Sequence, residues 1–235
     1  MSFLMTNLGP PAIYLPSRKW RSAEAPDVVL TPGLFLGSKA MVWLGKHLEE
    51  RNLRCAIPRL GGMLGYMQTK SVHGAGRRMA EYLQSLPKDC KPWVVGHSLG
   101  GMISRYAIQE AGCADRISGL ITLGTPHRGT PMAFAGLGLG VGLLSWAPWQ
   151  LTPYSRIIRT LNNKPWPANL PLVAVVSPSD LLCLAPRGEP PFQDGRLVRV
   201  AEFPGLGHTE LLWHRDVMDY VAHTIQTGGQ LREVA

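Results

Sequence analysis

Short apolar runs alternate along this chain with longer stretches of helical period. Val28-Val29-Leu30 is the first run that suits a buried strand. Arg54–Ile57, Trp93–Val95, Ile117–Leu123, Leu170–Val176 and Arg196–Ala201 follow it. Helical spacing predicts helices over about Ser38–Arg51, with Ser38 as N-cap, and over about Ser71–Leu86. Another follows from Leu99, Met102, Ile103, Tyr106 and Ala107, which share one helical face. The last covers about Thr209–Gln226, where Leu211, Leu212, Val217, Tyr220 and Val221 are spaced for a core face. Strands apolar at consecutive positions are buried on both faces. Alternating with helices, they predict an α/β architecture: a mostly parallel sheet of about six strands with helices on both faces. Residues 1–26 read as a proline-rich lead-in and residues 61–70 as a glycine-rich loop.

One segment departs from this alternation. From Thr130 to Ser155 there is no charged residue, and large apolar side chains stand among glycines. Pro148 and Pro153 interrupt it, and its glycine density argues against a membrane span. Nor do its glycines make a dinucleotide-binding fingerprint, because Val141 and Leu143 stand where the third glycine would be required. Two readings remain, a buried helix and loop or a mobile apolar cap over the sheet rim. The chain is thus expected to be one domain, 1–235, with residues 130–165 as a small apolar cap or lid-like insertion.

The charge balance is +8, from 24 basic and 16 acidic residues, but the basic residues are dispersed. They make no stripe for a nucleic acid. Weak contact with an anionic membrane surface is compatible with this charge, although a solvated basic face is the plainer reading. The four cysteines, Cys55, Cys90, Cys113 and Cys183, are too scattered for a disulfide framework. No C-x-x-C or H-E-x-x-H pattern occurs, so no metal and no cofactor is expected. The first residues lack a basic stretch followed by an apolar core, so a cytoplasmic location is expected.

Candidate chemistry centres on Gly96-His97-Ser98-Leu99-Gly100, a G-x-S-x-G between a strand and an amphipathic helix. Such a turn crowds the backbone on both sides of the central residue, so Ser98 is strained and projecting. A serine hydroxyl is a weak nucleophile; it needs a base, and the base needs a carboxylate to orient it. In this topology the order is Ser, acid, His. Among the later histidines, His214 and His223 fall in the last predicted helix, and His127 precedes any good acid. His208 lies in a glycine-flanked loop after the last strand and is the candidate base. Asp180 directly follows the run Leu172–Val176 and is the candidate acid, although Ser-Pro-Ser-Asp is also an ordinary turn composition. Ser98, Asp180, His208 and the loop at Gly33 all fall at predicted strand carboxyl ends, the rim where ligands bind in such sheets. Two N–H donors are needed for an oxyanion. Leu99 supplies one and Leu34 is the candidate for the other. Phe35, Trp146 and Trp149 are candidate substrate-binding residues.

Gly-His-Ser-Leu-Gly-Gly with Arg105-Tyr106, followed by Leu120–Thr130 with its Thr-Pro-His-Arg-Gly-Thr, resembles the bacterial triacylglycerol lipase and esterase branch of the α/β-hydrolases. The similarity extends over about residues 27–225. It implies the α/β-hydrolase fold and hydrolysis of carboxylic esters through an acyl-serine, with a small-molecule acyl ester or lipid as substrate. Asp180 and His208 match the family's acid and base positions. One position departs: the family usually carries His-Gly in the oxyanion loop, and here Pro32-Gly33 stands. Acyl transfer or thioester hydrolysis would need the same triad, and a weakly active hydrolase-fold binding protein is the alternative from another class.

Overall fold

The computed structural model describes residues 20, 24–34, 40–61, 70–192 and 197–229. The strands are β1 (Val28–Thr31), β2 (Cys55–Ala56), β3 (Trp93–His97), β4 (Gly119–Leu123), β5 (Leu172–Val176) and β6 (Val198–Glu202). They form one six-stranded sheet in the order β2-β1-β3-β4-β5-β6, parallel throughout. The longer helices are α1 (Val42–Glu49), α2 (Val72–Ser85) and α3 (Leu99–Gln109). Short helices α4 (Met132–Gly138), α5 (Val141–Leu144), α6 (Ala147–Leu151) and α7 (Arg156–Asn163) connect β4 to β5. A short α8 (Ala185–Gly188) precedes β6, and α9 (Arg215–Gln226) follows it.

Register explains why β1, β3, β4 and β5 are apolar at nearly every position. Val29, Val94, Leu120, Leu172 and Val198 lie side by side across the sheet. They pack with Met79, Leu83, Met102 and Ile103 of α2 and α3. One residue further on, Leu30, Val95, Ile121 and Val173 form the next row. That row belongs to the opposite layer, with Met41, Leu44, Leu48, Val217 and Val221 around α1 and α9. Successive side chains point to opposite faces, so both faces are buried along the inner strands, whereas β6 at the edge leaves Val200 and Glu202 exposed.

The departures from expectation are local. The predicted last helix begins as a single 3-10 turn, Glu210–Leu212, and α9 starts only after His214, whose backbone is extended. The second predicted strand is reduced to two residues at the sheet edge. The expected N-cap Ser38 and substrate residue Phe35 lie outside the described residues. All four cysteines are free. Among the described residues no helix is long and apolar enough to cross a membrane.

Candidate active site

Because every strand is parallel, the loops after β1, β3, β4, β5 and β6 leave the same edge of the sheet. Ser98 sits between β3 and α3 with φ 53° and ψ −122°, a conformation L-residues rarely adopt. Its backbone is held from both sides. Its N–H donates to Leu123 O at 2.9 Å, and its carbonyl accepts from Thr125 Oγ1 at 3.0 Å. The motif's glycines are required by close approach. A Cβ on Gly100 would lie 2.0 Å from Thr31 O, and one on Gly96 would lie 2.6 Å from Gly101 N. β3, α3 and β1 can therefore meet only without side chains at these points.

Asp180 follows β5 and is fully buried. Its Oδ1 accepts the backbone N–H groups of Leu182 at 2.9 Å and Cys183 at 2.8 Å. Its Oδ2 faces His208 Nδ1 at 2.7 Å. A carboxylate accepts, so His208 carries its proton on Nδ1, which leaves Nε2 as the ring's acceptor nitrogen. The loops bearing these two residues are tied together where Ser177 Oγ donates to Leu206 O at 2.7 Å. Gly207 N–H is held by Glu210 Oε2 at 2.7 Å, fixing the entry to His208.

A cavity of about 150 Å³ lies over this edge. It is lined by Ser98, His208, Gly33 and Leu34 and by Met132, Ala133, Gly136, Val141, Pro148 and Leu151 of the segment between β4 and β5. Gly33 packs onto the serine, since a Cβ there would stand 3.1 Å from Ser98 Cβ. The structure thus brings Ser98, Asp180, His208 and Leu34 together, and Leu99 follows Ser98 as the first residue of α3. The first-turn N–H groups of a helix have no intrahelical partner, so Leu99 N–H is available to an anion there. Trp146 and Trp149 are placed elsewhere. Both are exposed and neither lines the cavity, and the Trp149 indole N–H donates to Gly142 O at 3.2 Å.

Three residues of this region escaped the sequence reading as contributors. His97 is buried beside His208, ring centroids 4.7 Å apart, and its Nε2 meets His208 O at 3.1 Å. A carbonyl only accepts, so Nε2 carries the proton and the His208 backbone is pinned. Burial first, and then the neighbouring His208, push the His97 pKa down to about 3. Arg105 is fully buried and reaches Gln109 Oε1, Leu161 O and Asn162 Oδ1 at 2.8–3.1 Å, and its Nη1 approaches His127 Nδ1 at 3.3 Å. Since the guanidinium can only donate, His127 donates in turn from Nε2 to Thr122 Oγ1 at 2.9 Å. Burial lowers the Arg105 pKa to about 9 and, with the Arg105 charge second, holds His127 well below its ordinary value. This network clamps the loop after β4 to α3 and α7.

An acid dependence of stability follows. Both imidazoles stay neutral when folded, whereas unfolded histidines bind protons below about pH 6.5. The unfolded state then holds more protons, so stability falls as pH drops below about 6.5, by up to about 1.4 kcal/mol per pH unit for each histidine, for His97 until pH nears about 3. Urea unfolding between pH 8 and pH 4 checks this: the fall should be shallower in His97→Asn. An equal fall would mean that His97 protonates in the folded protein.

The backbone architecture matches solved structures over nearly its whole length. It is similar to a monoacylglycerol lipase of Paleococcus ferrophilus, with TM-score 0.64 and 17% identity over 87% of this chain and 96% of that one. The mature lipase BlEst2 of Bacillus licheniformis matches with TM-score 0.66 and 14% identity over 91% and 98%. A lipase-esterase related protein of Clostridium acetobutylicum matches with TM-score 0.57 and 15% identity over 88% and 96%. The chain has the α/β-hydrolase fold. The family model of the PGAP1-like alpha/beta domain also matches, over residues 61–150. That stretch contains β3, Ser98, α3, β4 and most of the short helices. The matched stretch covers the serine turn and part of the cavity lining, while Asp180 and His208 lie beyond it.

Proposed function

We propose that this protein is a serine hydrolase that cleaves carboxylic esters of apolar acyl groups through an acyl-serine. The observation that carries the reading is Ser98 on a left-handed strand-to-helix turn, sharing a cavity with His208, whose Nδ1 lies 2.7 Å from buried Asp180. The names of the similar structures, lipases and an esterase-related protein, agree with it.

The steps follow from the groups present. His208 Nε2 removes the Ser98 proton as Oγ attacks the ester carbonyl. Asp180 keeps the imidazole in the productive tautomer and stabilises the imidazolium. Leu99 N–H and Leu34 N–H receive the developing oxyanion, each such donor being worth roughly 3–4 kcal/mol. His208 returns the proton to the leaving alcohol, and water repeats the sequence on the acyl-serine. His97 cannot intercept that proton, because burial keeps it neutral. Pro32 in place of the usual His removes one brace of the oxyanion loop, but the loop still rests on Ser98 and His97 through Gly33.

The residues 130–165 act in this reading as a cap whose inner side receives the acyl chain. Met132, Val141 and Leu151 offer apolar surface there. A buried methylene is worth about 0.8 kcal/mol, so kcat/KM should rise by up to about fourfold per methylene until the cavity is filled. A p-nitrophenyl ester series from acetate to long acyl chains, on wild type and Ser98→Ala, tests this. Met132→Ser should move the preference toward short chains, whereas Trp146→Ser should leave the profile unchanged. Lack of ester hydrolysis across the whole series would overturn the reading.

A further inference from the structure

The cavity over Ser98 has a narrow chemistry. Among the described residues that line it there is no Asp, Glu, Lys or Arg. The Thr130 hydroxyl is spent within the protein, donating to Leu182 O at 2.7 Å and accepting from Met132 N–H at 3.2 Å. His97 Nε2 is spent on His208 O at 3.1 Å. Nothing there would neutralise a second carboxylate on an acyl group, and a charge buried unpaired is costly. The acyl group that fits is therefore a plain hydrocarbon. Its length follows from volume. The cavity holds about 150 Å³. An apolar cavity of about that size takes up benzene, so roughly six carbons fill it.

One lining residue is a glycine that the fold itself does not require. Gly136 lies inside α4, where glycine is less favourable than alanine because it loses more backbone freedom on folding. Its backbone is helical, without the positive φ of Gly124, Gly129 and Gly140. Crowding does not exclude a side chain either. A Cβ on Gly136 would have Pro148 Cβ as its nearest neighbour, at 4.0 Å, an ordinary contact. At Gly142, by contrast, a Cβ would stand 2.5 Å from Leu137 Cδ2. Pro148 lines the cavity as Gly136 does. A side chain at position 136 would thus enter open space between α4 and α6, and the cavity is what its absence preserves.

We propose that the substrates carry straight, uncharged acyl chains of roughly six carbons, and that Gly136 determines this specificity by keeping the cavity open. Carbons beyond that number find no further cavity surface and add no binding. The claim about substrates rests on the ester reading; the chain length that the cavity accepts does not.

The test is a p-nitrophenyl ester series from acetate to laurate on wild type, Gly136→Ala, Gly136→Val and Gly138→Ala. In wild type kcat/KM should rise on the order of 10²-fold from acetate to hexanoate and then level. In Gly136→Val the hexanoate-to-acetate ratio should fall by roughly tenfold or more, with the profile levelling about two carbons earlier and Gly136→Ala lying between. Gly138 also meets nothing within 4 Å but does not line the cavity, so Gly138→Ala should keep the wild-type profile. Circular dichroism should show all three variants folded, since neither alanine nor valine is worse than glycine in a helix. Titrating Ser98→Ala, with and without Gly136→Val, with straight-chain alcohols from butanol to dodecanol reads the cavity without catalysis. Affinity should level at roughly six carbons, and earlier with valine. A rate that keeps rising to laurate, or a folded Gly136→Val with the wild-type profile, overturns the proposal. So do alcohol affinities that keep climbing with length, are independent of length, or ignore Gly136→Val. Alcohol binding that levels as expected, without hydrolysis of any ester, would sink only the ester reading.

Discussion

Replacing Ser98 by alanine is expected to lower kcat for ester hydrolysis by about 10⁴-fold or more, roughly 5 kcal/mol of transition-state stabilisation, with the fold intact. The fold should survive because the Ser98 side chain makes no capping bond to α3. The left-handed turn is held by its backbone instead, through Leu123 O and Thr125 Oγ1. Alanine meets the same positive φ with a Cβ of the same position, so little new strain arises. Activity and thermal unfolding measured on one preparation separate the two effects. A folded variant with more than a tenth of wild-type turnover would remove Ser98 as nucleophile.

The placement of Ser98, Asp180 and His208 on one rim was legible because each lies in a loop beyond the carboxyl end of a predicted strand. In a parallel sheet the ends of such strands share one edge, so local pattern and chain order sufficed. The inner strands were legible from their continuous apolar runs: rows such as Val94, Leu120 and Leu172 are buried on one face while their neighbours are buried on the other. The supporting polar groups were not. His97 meets a carbonyl 111 residues away, and Arg105 meets one 56 residues away. Nothing in local spacing announces a pairing over that distance.

The cap shows a different limit. A charge-free segment has no polar face to orient it, so amphipathic period cannot say which side chains point inward. The large Trp146 and Trp149 were expected at the substrate, yet the residues of this segment that line the cavity are Met132, Ala133, Gly136, Val141, Pro148 and Leu151, with Thr130. Size argues for burial only where a partner surface exists. The exposed tryptophans are therefore informative about the outside of the molecule rather than about its pocket.

Asp180→Asn is expected to cost about as much as removing the serine, near 10⁴-fold in kcat, although it alters one atom. Asp180 Oδ1 is already committed to two backbone donors, Leu182 N–H and Cys183 N–H. An asparagine will keep its carbonyl oxygen there, because an amide NH₂ in that place would face two donors with no acceptor. Its Nδ2 then points at His208 Nδ1, where Oδ2 stood 2.7 Å away. A donor facing Nδ1 forces the imidazole proton onto Nε2, the atom that must accept the Ser98 proton. Base strength is lost without any change in packing, which distinguishes this from simple destabilisation. The rate of Ser98 labelling by a fluorophosphonate should fall in parallel with kcat, and so should that of His208→Ala. Because the three residues act as one unit, adding Asp180→Asn or His208→Ala to Ser98→Ala should lower the residual rate hardly at all. Full labelling of the Asp180→Asn protein would show that His208 keeps its productive tautomer unaided, and the acid would then have to be sought elsewhere on the rim.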